Sequence, residues 1–340
     1  MTTDGGAAAV NGITVAVTGP TGEIGLAAVA ALEKDPAVER ILGMARRPFD
    51  PSDRGWLKTE YRQGDILDRN AVEAFVGEAD VVVHLAFLIM GSREESGRIN
   101  LVGTRNVFEA TVAAERPGRL VYTSSVAAYG YHADNPSPLT EDVPTRGSPE
   151  HYYSEQKAEL ERVLKEVTAE SSLEVFVLRP CIVAGPHATA LADAMPWRQI
   201  AARLPGAVST VLGSVPGLRP PFPDPGVPLQ LVHHDDVASA IALAVTTDAP
   251  PGAYNIAGDG VVSLADAASA LGAYPVRIPL VVARAASAVL GWLPKVPAAA
   301  EWLHTGRASV VMDTSKAKRE LGWQPEYTSA QTLAELTKVL

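Results

Sequence analysis

Along the first half of the chain, short apolar runs alternate with longer stretches in which apolar residues recur at helical spacing. The runs Ile13–Thr18, Arg40–Ala45, Tyr61–Gly64, Asp80–Leu85, Leu120–Thr123 and Leu173–Leu178 read as strands, several apolar on both faces as in a parallel sheet. Helices are predicted over Leu26–Lys34, stopped near Asp35-Pro36, from Asp68 to about Val76, from Asn100 to about Glu115, and from Tyr153 onward. Strand–helix alternation of this kind predicts an open α/β sheet. Beyond residue 179 prolines concentrate, and the pattern is looser. There it predicts helices over Val237–Thr246, Ser263–Leu271, Pro279–Leu290 and Ser315–Leu321, the last with Gly322 just past its end, and a strand at Tyr254–Ala257.

The first strand runs directly into Gly19-Pro20-Thr21-Gly22-Glu23-Ile24-Gly25, and a helix follows. Strand, glycine turn and helix together form the context of a dinucleotide site. One glycine allows the tight turn, the next the close approach of phosphate, and the third close packing of helix on strand. Pyrophosphate then sits at the helix N-terminus, against backbone from Gly19 to Gly25 that includes Thr21, Glu23 and Ile24. The expected fold is a Rossmann-like doubly wound parallel sheet, residues 11–180 plus 231–258. A smaller, mostly C-terminal α/β substrate domain takes 181–230 plus 261–340. At the end of the second strand stand Arg46 and Arg47, where an NAD site usually has a carboxylate for the ribose. Two guanidiniums there can hold a 2′-phosphate, so NADP(H) is the preferred cofactor, with NAD(H) as the alternative. Asp65 is placed to reach the adenine amino group, while Asp68 can N-cap the next helix. At Leu85-Ala86-Phe87 the small Ala86 lets backbone pass close to a cofactor.

Tyr153-Ser154-Glu155-Gln156-Lys157 places a phenol and an ammonium one turn apart on one helix face. An ammonium close by stabilises a phenolate, which is the minimum for acid–base chemistry on a carbonyl or alcohol. Such a pair is common on ordinary helix surfaces; its neighbours give it meaning. In an open α/β sheet ligands sit at the carboxyl ends of strands, and Ser125 stands at one.

Gly19-x-x-Gly22-x-x-Gly25, Asp65-Ile66, His84-Leu85-Ala86, Asn100-x-x-Gly103-Thr104-x-Asn106, Thr123-Ser124-Ser125 with Tyr129-Gly130, and Tyr153-x-x-x-Lys157 occur in this order. Leu178-Arg179-Pro180, Gly185-Pro186, His233-His234-Asp235-Asp236-Val237-Ala238 and Asp313-Thr314-Ser315-Lys316-Ala317 with Leu321-Gly322-Trp323-x-Pro325 continue the series. The ordered set resembles the extended short-chain dehydrogenase/reductase family, also called the NAD-dependent epimerase/dehydratase family, over nearly the whole chain. The resemblance implies a catalytic triad of Ser125, Tyr153 and Lys157. Tyr153 would be the acid/base, Ser125 would orient the carbonyl, and Lys157 would bind the nicotinamide ribose and lower the tyrosine pKa. It further implies adenine contacts at Asp65 and Ile66, nicotinamide contacts at Pro180, Ile182 and Val183, a structural Asn100, and a homodimer.

Composition narrows the function. The chain has 340 residues, 47% hydrophobic, with a net charge of −10 and no basic block, which argues against a nucleic-acid partner. A single cysteine, Cys181, fits a reducing cytoplasm and reads as a small buried hydrophobe. The first twelve residues do not read as a signal peptide. Leu280–Leu293 is too short and interrupted to insert in a membrane. His233-His234-Asp235-Asp236 is read as a helix start, with Asp235 or Asp236 capping Val237–Thr246, rather than as a metal site. Ala190–Pro228 carries only Asp193, Arg198, Arg203, Arg219 and Asp224 as charges. Sugar-nucleotide enzymes of this type often have an Arg-Asp-aromatic element where this chain has Pro228-Leu229-Gln230-Leu231-Val232. A mostly apolar lining suits a small lipophilic carbonyl or alcohol. The expected reaction is therefore hydride transfer with a secondary alcohol/ketone pair. The alternatives are a sugar-nucleotide epimerase or dehydratase, with Arg198, Arg219 and Arg307 as a phosphate clamp, or a dinucleotide-binding regulator.

Overall fold

The structure, a computed structural model, describes residues 12–89, 93–189, 192, 219–282 and 309–339. Its first half runs β1 (Ile13–Thr18), α1 (Glu23–Lys34), β2 (Val38–Ala45), β3 (Thr59–Gln63), α2 (Arg69–Val76), β4 (Val81–His84), α3 (Arg93–Gly97), α4 (Thr104–Ala113), β5 (Arg119–Thr123), α5 (Tyr152–Val167) and β6 (Glu174–Pro180). The second half contains β7 (Ile182–Ala184), β8 (Pro221–Asp224), β9 (Pro228–Leu229), β10 (Leu231–His233), α6 (His234–Thr246), β11 (Gly252–Ile256), β12 (Val262–Ser263), α7 (Leu264–Ala270), β13 (Tyr274–Arg277) and α8 (Ser329–Thr337).

Seven strands form one sheet in the order β3-β2-β1-β4-β5-β6-β11, every neighbour parallel. This is the Rossmann-like doubly wound order, and the strand sequence reverses between β1 and β4. Successive residues of a strand point to opposite faces. Val15 and Val17 therefore meet Ala28, Val29 and Leu32 of α1 and Ile241 of α6. Ala16 faces the other way, into a core with Val72 and Phe75 of α2, Val107 and Phe108 of α4, and Leu160 of α5. Burial on both faces explains why the strands read as unbroken apolar runs.

Some boundaries differ from the expected ones. α1 starts at Glu23, so Gly25 lies inside its first turn. The helix expected from Asn100 is a π-helical turn over Arg98–Gly103 that passes into α4. Asn100 is fully buried, accepts from Leu88 N at 2.7 Å, and donates to Leu88 O at 3.0 Å and Gln156 Oε1 at 2.9 Å. Asp68 caps α2 by accepting from Ala71 N. Neither Asp235 nor Asp236 caps α6; His233 does, by accepting from Asp235 N. Asp236 instead accepts from Glu326 N at 2.7 Å and Tyr327 N at 3.2 Å.

Outside the large sheet, β7 pairs with β10, β9 with β12, and β8 with β13. Leu229, Leu231, Val262, Leu271, Leu333 and Leu336 form a separate small core there. β11 completes the edge of the large sheet beside β6. Residues 283–290 of the expected helix Pro279–Leu290, most of Ala190–Pro228, and the three residues Arg198, Arg203 and Arg307 lie outside the described residues; Arg219 is described and exposed. Among the described residues no helix is long and apolar enough to cross a membrane.

Candidate active site

The glycine turn closes against the strand crossing. Gly19 has φ +75°, and a methyl group there would lie 2.8 Å from Ala86 N. A methyl group at Gly25 would lie 2.1 Å from Gly19 O. Both glycines are demanded by the fold. Gly22 is different: a methyl group there meets only Gly19 O, at 3.6 Å, and φ is an ordinary −79°. Gly22 is exposed and caps α1 with no side-chain acceptor. The first-turn N–H groups of α1 have no intrahelical partner, which is the geometry that takes a phosphate. The residues present therefore fit a dinucleotide pyrophosphate. Thr21 and Ile24 lie on this turn, half-buried. Glu23 turns its carboxylate toward the second half of the chain and accepts from Thr189 N at 3.0 Å.

At the end of β2, Arg46 and Arg47 are exposed, and neither has an ion-pair partner among the described residues. Their backbone is braced: Tyr61 OH donates to Ala45 O at 2.8 Å and also to Arg47 O, and Gln63 Nε2 donates to Arg46 O at 2.9 Å. Asp65 accepts from Leu67 N at 3.0 Å, closing the turn after β3. Ile66 is buried with its side chain against Gly103, and its carbonyl accepts from Asn106 Nδ2 at 3.0 Å. Leu85 N donates to Thr18 O at 3.1 Å, which holds the end of β4 against the glycine turn. Ala86 follows it, half-buried, at the same edge. His84 is clamped between Thr18 Oγ1 at 2.6 Å and Thr104 Oγ1 at 2.9 Å. Burial, with the Lys157 charge nearby, pushes its pKa down to about 3, so it is neutral.

Ser125, Tyr153 and Lys157 come together at the carboxyl end of β5. Ser125 opens a short 3-10 turn, Val126–Tyr129, and its Oγ accepts from Ala127 N at 3.2 Å. It lies close enough to the Tyr153 phenol to pull that group's pKa down against the effect of burial. α5 is seated on that turn: Ser154 Oγ donates to Ala127 O at 2.6 Å, and His151 caps the helix by accepting from Ser154 N. Lys157 is 3% exposed and donates from Nζ to Thr123 O at 2.9 Å. Aromatic rings enclose that ammonium. Nζ lies 3.9 Å from the Phe87 ring centre, 5.1 Å from Tyr122 and 5.9 Å from Tyr153. Phe87 also meets Tyr153 edge-on at 5.4 Å. Thr123 Oγ1, at the end of the same strand, is buried without a partner. Pro180 is buried at the end of β6, and Ile182 and Val183 follow, half-buried, on β7.

The expected electrostatics need one correction. Burial raises the Tyr153 pKa, and the nearby Ser125 hydroxyl only partly opposes it. Lys157 does not lower it here, because its Nζ sits over rings and a backbone carbonyl. Lys157 itself is pushed down to about 7 by burial, against the opposing pull of the Glu161 carboxylate. The pair is thus a protonated phenol beside an easily discharged ammonium. Cys181 is buried and its thiol is pushed up, as a small hydrophobe would be. His233, His234 and the Asp235 carboxylate approach one another closely. His233 Nδ1 is taken by the α6 cap, and His234 Nδ1 lies 2.8 Å from Asp235 Oδ1.

Sequence reading missed Glu161, Tyr129 and Arg179 as parts of one assembly, and Asn255 altogether. The available signals were Glu161 at helical spacing from Lys157 and an arginine inside the apolar run before Pro180.

The model of the NAD dependent epimerase/dehydratase family matches residues 15–257, and the chain belongs to that family. It is 30% identical to the uncharacterised protein y4nG of Sinorhizobium fredii, covering 85% of this chain and 70% of that one. It is 26% identical to UDP-glucose 4-epimerase of Corynebacterium glutamicum, covering 94% of this chain and 93% of that one. Among solved structures, a short-chain dehydrogenase/reductase superfamily protein from Agrobacterium tumefaciens with bound NAD shares the fold, with TM-score 0.69, 20% identity and 96% of each chain covered. MoeE5 in complex with UDP-glucose and NAD does so with TM-score 0.68 and 21% identity, covering 96% of this chain and 98% of that one.

Proposed function

We propose that the protein is an NADP(H)-preferring oxidoreductase that interconverts a small, mostly apolar ketone and its secondary alcohol. The observation that carries this reading is the assembled Ser125–Tyr153–Lys157 set with a phenol held protonated by burial. A protonated phenol is the general acid that ketone reduction needs. When bound, the nicotinamide supplies the hydride. The turn from Gly19 to Gly25 receives the pyrophosphate, Arg46 and Arg47 take the 2′-phosphate, and Asp65 with the Ile66 backbone faces the adenine. Backbone at Leu85, Ala86 and Phe87 and at Pro180, Ile182 and Val183 borders the nicotinamide. Ser125 Oγ orients the substrate oxygen, Tyr153 Oη gives it a proton, and Lys157 Nζ holds the nicotinamide ribose. Reaching that ribose requires the Phe87 ring to give way.

A second reading is sugar-nucleotide epimerisation or dehydration, favoured by the nearly full-length likeness to UDP-glucose 4-epimerase of Corynebacterium glutamicum. There the cofactor is re-formed within each cycle, so no net NADPH is consumed.

The test is titration of NADPH and NADH separately by nicotinamide fluorescence, repeated with Arg46→Asp, followed by turnover on ketones and on UDP-glucose. NADPH is expected to bind tighter, by about tenfold or more, and Arg46→Asp to abolish that margin. Tyr153→Phe is expected to lose about 10²–10⁴-fold in turnover with cofactor affinity kept. Equal or tighter NADH binding, unmoved by Arg46→Asp, with UDP-glucose converted and no NADPH consumed, would replace the first reading by the second.

A further inference from the structure

Behind the candidate catalytic groups lies a buried ion pair that the proposed chemistry does not use. Glu161 is one helical turn beyond Lys157 on the same inward face of α5. Its side chain is 9% exposed, and that of its partner Arg179, on β6, is 8% exposed. Glu161 Oε2 accepts from Arg179 Nη2 at 2.6 Å, and Oε1 accepts from Arg179 Nε at 3.0 Å. This is the two-point fork that gives an arginine–carboxylate pair its geometric precision.

The two partners then reach opposite ends of one short segment. Glu161 Oε1 also accepts from Ser124 Oγ at 2.5 Å. Ser124 is the residue before Ser125 and the residue after Thr123, whose carbonyl holds Lys157. Arg179 Nη1 donates to Tyr129 OH at 2.8 Å and to Glu141 O at 3.3 Å. Tyr129 closes the 3-10 turn that Ser125 opens. Tyr129 OH in turn donates to Asn255 Oδ1 at 2.7 Å, and Asn255 N donates to Glu141 Oε1 at 2.8 Å. A buried pair is poor evidence of net stability, since desolvation costs about as much as the attraction returns. A pair bonded to both ends of the turn that carries Ser125 has a better-defined use.

We propose that the Glu161–Arg179 pair is the positioning device of the site: it fixes both ends of the turn carrying Ser125, and its carboxylate, one helical turn from Lys157, is the anion that faces that ammonium. The proposal rests on the function assigned above for the meaning of its kinetic consequence, while its electrostatic part does not. Other titratable groups around Lys157 are His84 on β4, Tyr122 on β5 and Tyr153 on α5; the histidine is neutral and both phenols are pushed up by burial. Glu161 is the carboxylate that favours the Lys157 cation.

The experiment uses the full chain labelled with ε-¹³C lysine, the Lys157 resonance being assigned by its loss in Lys157→Met. In the unsubstituted protein the resonance titrates near neutral pH. In Glu161→Gln the midpoint falls by about one pH unit or more, because an opposite charge nearby is removed. Glu161→Asp, which keeps the charge, recovers most of that fall. Arg179→Lys keeps the charge balance and loses the fork, so kcat drops about tenfold or more with the NADPH KM held. A Lys157 midpoint unmoved in a cooperatively melting Glu161→Gln overturns the counter-charge role. An unchanged kcat in Arg179→Lys overturns the positioning role. Should Glu161→Gln fail to fold, the Asp and Lys variants carry both readouts: a Lys157 midpoint lowered by about one pH unit or more in Glu161→Asp, which keeps the charge, refutes the first role, and an unchanged kcat in Arg179→Lys the second. Absence of any turnover by the unsubstituted protein, with the midpoint shift present, would mark failure of the proposed function and not of the counter-charge role.

Discussion

A methyl group added at Gly25 and one added at Gly22 are expected to do different things, although the two residues are three apart in the same turn. At Gly25 the new carbon meets Gly19 O at 2.1 Å, Pro20 C at 2.8 Å and Pro20 Cα at 2.9 Å. All three are backbone atoms and none can rotate away. Overpacking of this kind costs about 1–3 kcal/mol, and rigid neighbours place Gly25→Ala at the upper end, about 3 kcal/mol. For a chain of this size that is a fall in melting temperature of about 4 °C. At Gly22 the nearest atom is 3.6 Å away and the backbone suits any residue. Replacing a glycine cap by alanine costs about 0.5–1 kcal/mol, and reduced freedom of the unfolded chain returns about 0.4–1 kcal/mol, so Gly22→Ala should melt within about 1 °C of the unsubstituted protein. The methyl group of Gly22→Ala fills the approach to the first-turn N–H groups of α1, and NADPH binding should weaken about tenfold or more, equal to at least 1.4 kcal/mol. Thermal melting and nicotinamide fluorescence titration on both variants decide the matter. Wild-type melting of Gly25→Ala would refute the packing estimate. Undiminished NADPH binding by Gly22→Ala would refute the placement of the pyrophosphate.

Two further outcomes follow from buried side chains. The Lys157 pKa is lowered from 10.5 to about 7, so between those values the unfolded chain holds more protons and stability rises with pH; below about 7 the full burial cost remains. Lys157→Met should therefore be a few kcal/mol more stable at pH 6 by denaturant melts and lose much of that advantage by pH 10, and a less stable variant at pH 6 would contradict it. Trp323 is completely buried and donates from Nε1 to Asp236 O at 2.9 Å and Ser239 Oγ at 3.1 Å, which ties the C-terminal segment to α6. Trp323→Ala should cost about 3–5 kcal/mol, seen as a melting point lower by about 4–7 °C, with NADPH affinity retained by the folded fraction.

All seven large-sheet strands and the turn between β1 and α1 were legible in the chain because their signals are local. A strand buried on both faces is an apolar run, and a tight strand-to-helix turn needs glycine whatever packs around it. Tyr153 and Lys157 were legible for the same reason, since helical spacing alone sets them side by side. The cap of α6 was misread because aspartates are commoner caps than histidine, and here the strand pairing of β10 brings His233 to the cap position first.

The sequence by itself determined the order of strands and helices, the glycine turn, the two arginines after β2, and the spacing of Tyr153 and Lys157. Only the tertiary structure decided the charge state of that pair. Phe87 and Tyr122 come from two different strand ends to enclose Lys157, and burial among them outweighs the single nearby carboxylate. Ser124, Tyr129, Glu161, Arg179 and Asn255 are likewise spread over more than a hundred positions and meet only when β5, β6 and β11 lie side by side. Spacing along a chain records neighbours within an element; desolvation and the closing of a hydrogen-bond network depend on neighbours between elements, and those exist only in the folded molecule.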